Sequence, residues 1–150
     1  MREHTPNFAI FGINHKTASV NIREKVSMKP EEQLNISYNL FKKWQVNGCL
    51  LLSTCNRSEI YFYKDNPESV INEIKKWLDK IKKTKCFSDD AKTYTYYGWE
   101  AVKHFIYVIS SLDSQIVGEP QITNQVKEAY RKERKGEDLH YRESYKKIWT

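Results

Sequence analysis

Glycine is scarce in this chain. Gly12, Gly48, Gly98, Gly118 and Gly136 are the whole set in 150 residues. None of their spacings permits a G-x-G-x-x-G turn or a P-loop, so a dinucleotide would have to be bound elsewhere. Cysteine is equally thin: Cys49, Cys55 and Cys86 cannot all pair and form no C-x-x-C. These three and the four histidines lack ligand spacing, and no metal is expected. No stretch approaches the roughly 20 apolar residues of a membrane span. The opening "MREHTPNFAIFGINHK" holds too short an apolar segment for a signal peptide. Internal repeats and low-complexity segments are also missing. These absences describe a soluble cytoplasmic protein with reduced thiols and no membrane partner.

What is present suits a folded domain. Hydrophobic residues make up 39% and aromatics 13%, enough for a core in a chain of this length. The net charge of +6 comes from lysines spread along the sequence rather than from a basic tail. That fits a polyanionic partner, and it fits solvated lysine faces equally well.

Hydropathy patterning alternates between strand and helix. Asn7 to Ile13 ("NFAIFGI") reads as a buried first strand, followed by a polar, irregular segment through Met28. From Pro30 a helix is expected, with Glu31 and Glu32 in its first turn and Lys42 and Lys43 in its last, as the helix dipole favours. Leu34, Tyr38 and Phe41 mark its expected inner face. "GCLLLS" and "SEIYFY" read as two strands. A helix follows from Asn66-Pro67, with Val70, Ile74, Trp77, Leu78 and Ile81 at helical spacing. "AKTYTYY" is the fourth strand by its Thr and Tyr content.

Two more helices are expected, from Trp99 to about Ser111 and from Pro120 to about Lys132. The order β-α-β-β-α-β predicts an α+β, ferredoxin-like split βαβ core: an antiparallel sheet with two helices on one face, plus additional C-terminal helices. The apolar Ile148-Trp149 at the chain end suggests a domain cut from something longer.

Three features could carry chemistry. Cys55 stands where two strands meet, in "STCNR", with Arg57 nearby to favour a thiolate. A free cysteine is also often an inert small hydrophobe, and both readings stand. On the helix after Gly98, Val102, Phe105, Ile106, Ile109 and Leu112 form an apolar arc extended by Ala101 and Val108. His104 lies about 40° beyond Val108, at the margin of that arc. It is either a proton carrier facing a cleft or a boundary histidine with a satisfied hydrogen bond. Third, Gly118-Glu119-Pro120 opens a helix carrying Gln121 and Gln125 on one side. The group could hold a polar substrate with an ammonium group, or simply cap an amphipathic helix.

Taken together, "GINHKTASVNIREK", "STCNRSEIY", "AVKHFIYVISSLDSQIVGEPQI" and "QVKEAY" occur in the order found in the glutamyl-tRNA reductases. The resemblance runs from about Phe8 to Tyr130. It implies that residues 1–150 are the N-terminal catalytic domain of a longer enzyme whose NADPH-binding and dimerisation domains lie outside this chain. The implied reaction is NADPH-dependent reduction of glutamyl-tRNA to glutamate-1-semialdehyde through a cysteine thioester, the first step of tetrapyrrole synthesis. The implied partners are glutamyl-tRNA, a second copy of the full-length enzyme and the aminomutase that acts on glutamate-1-semialdehyde.

The resemblance makes Cys55 the nucleophile and gives His104 a proton-handling or positioning role. It assigns substrate binding to Thr54, Asn56, Arg57, Ser114, Glu119, Pro120, Gln121 and Gln125. Arg57 suits the glutamate side-chain carboxylate by charge and by bidentate geometry. The sequence departs from the family pattern at Ser19, Ile109, Ser111, Thr123 and Asn124, where proline, alanine, glycine, leucine and glycine are usual. A second class of function is a ferredoxin-like RNA-binding module without catalysis. Basic charge and tyrosines permit it, but no RNP-like strand signature supports it.

Overall fold

The computed structural model describes residues 5–114. Four strands, β1 (Phe8–Asn14), β2 (Gly48–Ser53), β3 (Arg57–Tyr63) and β4 (Tyr94–Tyr97), form a single sheet in the order β2-β3-β1-β4. Every neighbouring pair is antiparallel. The helices are α1 (Val20–Val26), α2 (Pro30–Trp44), α3 (Glu68–Lys82) and α4 (Gly98–Ser114).

Both faces of the sheet are covered. Phe11, Ile13, Leu51, Ile60 and Phe62 pack against α1, α2 and α3 through Val26, Ile36, Leu40, Ile74 and Leu78. Phe8, Ile10, Leu50 and Tyr61 face the other way and meet Ala101, Val102 and Phe105 of α4. This explains why β1 is buried at all seven positions and reads as a continuous apolar run.

Several local expectations are corrected. The segment read as irregular contains α1, a two-turn helix. Ser19 caps it by accepting a hydrogen bond from Ile22 N at 3.4 Å, a task that proline, lacking a hydroxyl, could not perform. So short a helix, rich in β-branched residues, leaves little periodic signal.

On α2 the inner face is Ile36, Leu40 and Trp44, whereas Leu34 and Tyr38 are exposed. The helix carries two apolar stripes, and tertiary contacts select between them. Trp44 meets the Trp77 ring edge-on at 5.5 Å and donates from Nε1 to Glu73 at 3.0 Å. On α3, Ile71, Ile74 and Leu78 are buried, while Ile81 lies at the solvent edge.

The arc of α4 is centred on Ala101 and Val108, which the sequence reading placed at its edge; Ile106 and Tyr107 are exposed. That rotation turns His104 toward the sheet. Strand β4 is shorter than expected, beginning at Tyr94. The helix expected from Pro120 lies outside the described residues, as do Thr123 and Asn124. Among the described residues no helix is long and apolar enough to cross a membrane.

Candidate active site

The turn between β2 and β3 is built by Thr54. Its N–H donates to Arg57 O at 2.8 Å, closing the four-residue turn. Its buried Oγ1 accepts from Asn56 N at 3.1 Å and Arg57 N at 3.2 Å. A threonine hydroxyl that satisfies two successive N–H groups holds the backbone without needing glycine at the bend. Cys55 is left at the apex, exposed, whereas Cys49 is buried and Cys86 half-buried.

Asn56 is tied from two sides. His15 N donates to its carbonyl at 2.9 Å, and Arg23 Nη1 on α1 donates to its Oδ1 at 3.3 Å. Arg23 Nε is buried without a hydrogen-bond partner among the described residues.

Beneath the turn, on the α4 face of β3, lies a carboxylate the sequence reading overlooked. Glu59 is fully buried and collects four polar contacts. Tyr61 Oη donates to Oε1 at 2.7 Å, and Tyr94 Oη donates to Oε2 at 2.5 Å. His104 Nε2 lies 2.6 Å from Oε2, and Arg57 Nη1 donates to the same oxygen at 3.4 Å.

Burial pushes the Glu59 carboxyl up, but His104, Arg57 and Tyr94 outweigh it and hold the group below its ordinary value. The converse falls on the phenols: burial first, then the Glu59 charge, push Tyr61 and Tyr94 well up, so both remain donors. The imidazole is flanked by the Tyr94 and Tyr96 rings at centroid distances of 5.3 and 5.1 Å. Its side chain is 15% exposed.

Gly12 on β1 makes room for this arrangement. A Cβ there would meet Glu59 Cγ at 2.7 Å, Ser58 O at 2.8 Å and Tyr94 Oη at 3.0 Å. Gly12 pairs with Glu59 on one side and with Tyr94 on the other. The missing side chain is therefore what lets a β4 phenol reach a β3 carboxylate across β1.

The structure thus gathers Thr54, Cys55, Asn56 and Arg57 in one turn and links Arg57 to His104 through Glu59. Of the other sequence-predicted site residues, Ser114 is described only as the last residue of α4. Glu119, Pro120, Gln121 and Gln125 lie outside the described residues. Glu59 had a sequence signal, an acidic residue inside an apolar strand with Arg57 and Tyr61 two positions away on the same face. Tyr94 and Arg23 offered none without knowledge of the strand order, and Gly12 offered only a glycine inside an apolar strand.

Among the described residues no cluster of three His, Cys, Asp or Glu could hold a metal ion. The space beside Gly12 is filled by Glu59 and Tyr94, and that beside Gly98 by Thr5, so neither glycine opens a cradle for a pyrophosphate.

Comparison with known proteins gives this geometry its relatives. Over 133 residues, 87% of the chain, it is 39% identical to glutamyl-tRNA reductase of Hydrogenovibrio crunogenus. Over 123 residues it is 40% identical to glutamyl-tRNA reductase of Pseudomonas putida. The solved glutamyl-tRNA reductase from Methanopyrus kandleri superposes with a TM-score of 0.61 at 26% identity, covering 97% of the chain. The chain spans 30%, 28% and 29% of the length of these three proteins, respectively. Residues 11–141 match the family model described as glutamyl-tRNAGlu reductase, N-terminal domain, and the chain belongs to that family.

Proposed function

We propose that this chain is the catalytic domain of a glutamyl-tRNA reductase and performs the acyl-transfer half of the reaction. In this reading its sheet is a ferredoxin-like core, consistent with the order β2-β3-β1-β4. The observation that carries the proposal is Cys55, exposed at a turn whose backbone is fixed by Thr54, two residues from an arginine that converges with His104 on a buried carboxylate.

Cys55 Sγ attacks the ester carbonyl of glutamyl-tRNA. A C–S bond forms, the ester C–O bond breaks, and the ribose oxygen leaves with the proton given up by the thiol. The acyl-tRNA ester is a good acyl donor, and the product thioester stays activated. His104 carries the proton. Arg57 anchors the glutamate carboxylate with the guanidinium donors that Glu59 does not take. The family resemblance assigns binding of the amino acid also to Ser114, Glu119, Pro120, Gln121 and Gln125.

NADPH reduces the thioester in the whole enzyme, under this reading, from a domain other than this one. Neither Gly12 nor Gly98 opens a cradle for that cofactor, and no hydride step is placed on the described residues. Homodimerisation, the aminomutase partnership and a cytoplasmic setting belong to the same full-length reading.

Intact-protein mass spectrometry after mixing with glutamyl-tRNA tests the proposal. The wild-type chain should gain a glutamyl adduct, and Cys55→Ser should not. An unchanged protein mass alongside retained tRNA binding would instead identify an RNA-binding module without catalysis.

A further inference from the structure

We infer that Glu59 is a positioning residue whose carboxylate holds His104 in the tautomer protonated at Nε2, so that Nδ1 is the nitrogen left to exchange protons. The chemical role rests on the acyl-transfer reading above; the tautomer rests on geometry alone.

A carboxylate is only an acceptor. Glu59 is fully buried, and its Oε2 already accepts from Tyr94 Oη at 2.5 Å and Arg57 Nη1 at 3.4 Å. The third group on that oxygen, His104 Nε2 at 2.6 Å, must therefore bring its own proton. The opposite tautomer would set a nitrogen lone pair against an oxygen lone pair at that distance. Protonating Glu59 could relieve the clash, but three neighbouring donors and a carboxyl held below its ordinary value oppose it.

A neutral imidazole has one N–H, so fixing it on Nε2 makes Nδ1 the base. Among the described residues nothing hydrogen-bonds to Nδ1, and the side chain is 15% exposed. The Tyr94 and Tyr96 rings at 5.3 and 5.1 Å limit rotation of the imidazole.

In the acyl transfer, Nδ1 takes the thiol proton as Sγ bonds to the carbonyl carbon. It returns that proton to the ribose oxygen as the ester C–O bond breaks. Nε2–H stays on Glu59 throughout, and no redox change occurs. Glu59 touches neither substrate nor thiol in this scheme. It acts through the imidazole, as a buried carboxylate does in an Asp-His pair.

Two-bond 1H–15N correlation spectra of histidine-labelled protein test the tautomer directly, with the His104 signals assigned by their loss in His104→Gln. The expected neutral form is a single species protonated at Nε2. An Nδ1–H species, or a fast mixture of the two, would overturn the inference.

A second arm measures thioester formation in Glu59→Gln. The amide keeps an acceptor but loses the charge, and the rate should fall about 10–100-fold, part of the 10²–10⁴ typical of general acid–base catalysis. Glu59 also pairs with Arg57 at 3.4 Å, so the rate is compared at saturating glutamyl-tRNA, where a change in binding does not contribute. An unchanged rate per folded molecule would refute the positioning role. If the wild-type chain forms no thioester, the acyl-transfer reading fails while the spectrum still decides the tautomer. If Glu59→Gln does not fold, the wild-type spectrum decides it alone.

Discussion

Replacing Gly12 with alanine is the sharpest probe of how β1 supports the site. The new Cβ would lie 2.7 Å from Glu59 Cγ, 2.8 Å from Ser58 O and 3.0 Å from Tyr94 Oη. The two side chains have different freedom to move away, and the carbonyl has almost none. Ser58 O belongs to the backbone of β3, which is in register with β1 from Phe8↔Tyr63 to Asn14↔Arg57. Shifting it would disturb pairing on both sides of β3.

Overpacking of this kind costs about 1–3 kcal/mol. For a domain of this size, each kcal/mol lowers Tm by about 2–4 °C, so a loss of about 2–12 °C is expected. Glu59 is the softer obstacle, and its displacement would draw Oε2 away from His104 and Tyr94. Thioester formation should then fall further than the loss of folded protein explains. Thermal melts by circular dichroism, with adduct formation measured well below Tm, check both effects. A melt within about 1 °C of wild type, with an unchanged rate, would show that β1 has slack and that Gly12 does not create the space for Glu59.

Thr54→Val keeps the shape of the turn but removes the acceptor for Asn56 N and Arg57 N. Two lost hydrogen bonds should cost about 1–2 kcal/mol in urea unfolding and slow adduct formation at Cys55; no change in either would leave the turn held by its backbone alone. Glu59 also predicts an acid limb to stability. Its carboxyl is held below the ordinary value of 4.5 against the groups facing it: Arg57 and Tyr61 from β3, Tyr94 from β4 and His104 from α4. A depressed carboxyl contributes stability above its unfolded pKa and loses it as pH falls through the folded one. The stability difference between wild type and Glu59→Gln should therefore shrink on acidification below pH 4.5. A difference that is constant or growing in urea titrations would contradict the assignment.

The parts of the molecule legible in the sequence were those specified along the chain. Continuous apolar runs gave β1 and β2, Pro30 and its acidic first turn gave α2, and Cys55 stood out by its position between two strands. Periodicity alone could not orient α2, because Leu34 and Tyr38 offer a stripe as apolar as that of Ile36 and Leu40. The Trp44–Trp77 contact, which joins α2 to α3, breaks the tie. Nor could it see α1, whose seven residues depend on one serine cap.

The polar heart of the site is illegible for a deeper reason. Two of the four contacts to Glu59 come from residues 35 and 45 positions away. They meet only because β1 lies between β3 and β4 and because one residue of β1 has no side chain. A glycine at the fifth position of an otherwise side-chain-bearing strand is the trace this leaves in the sequence. It says that something approaches closely there, but the strand order is needed to say what. Once that order is known, Gly12, Glu59, Tyr94 and His104 cease to be four separate residues. The space left by the first admits the carboxylate of the second, the phenol of the third helps keep that carboxylate charged, and the charge fixes the proton of the fourth. Arg57 joins the same oxygen from the turn that exposes Cys55. The anion beneath the turn therefore holds both the arginine and the histidine on which the proposed acyl transfer relies.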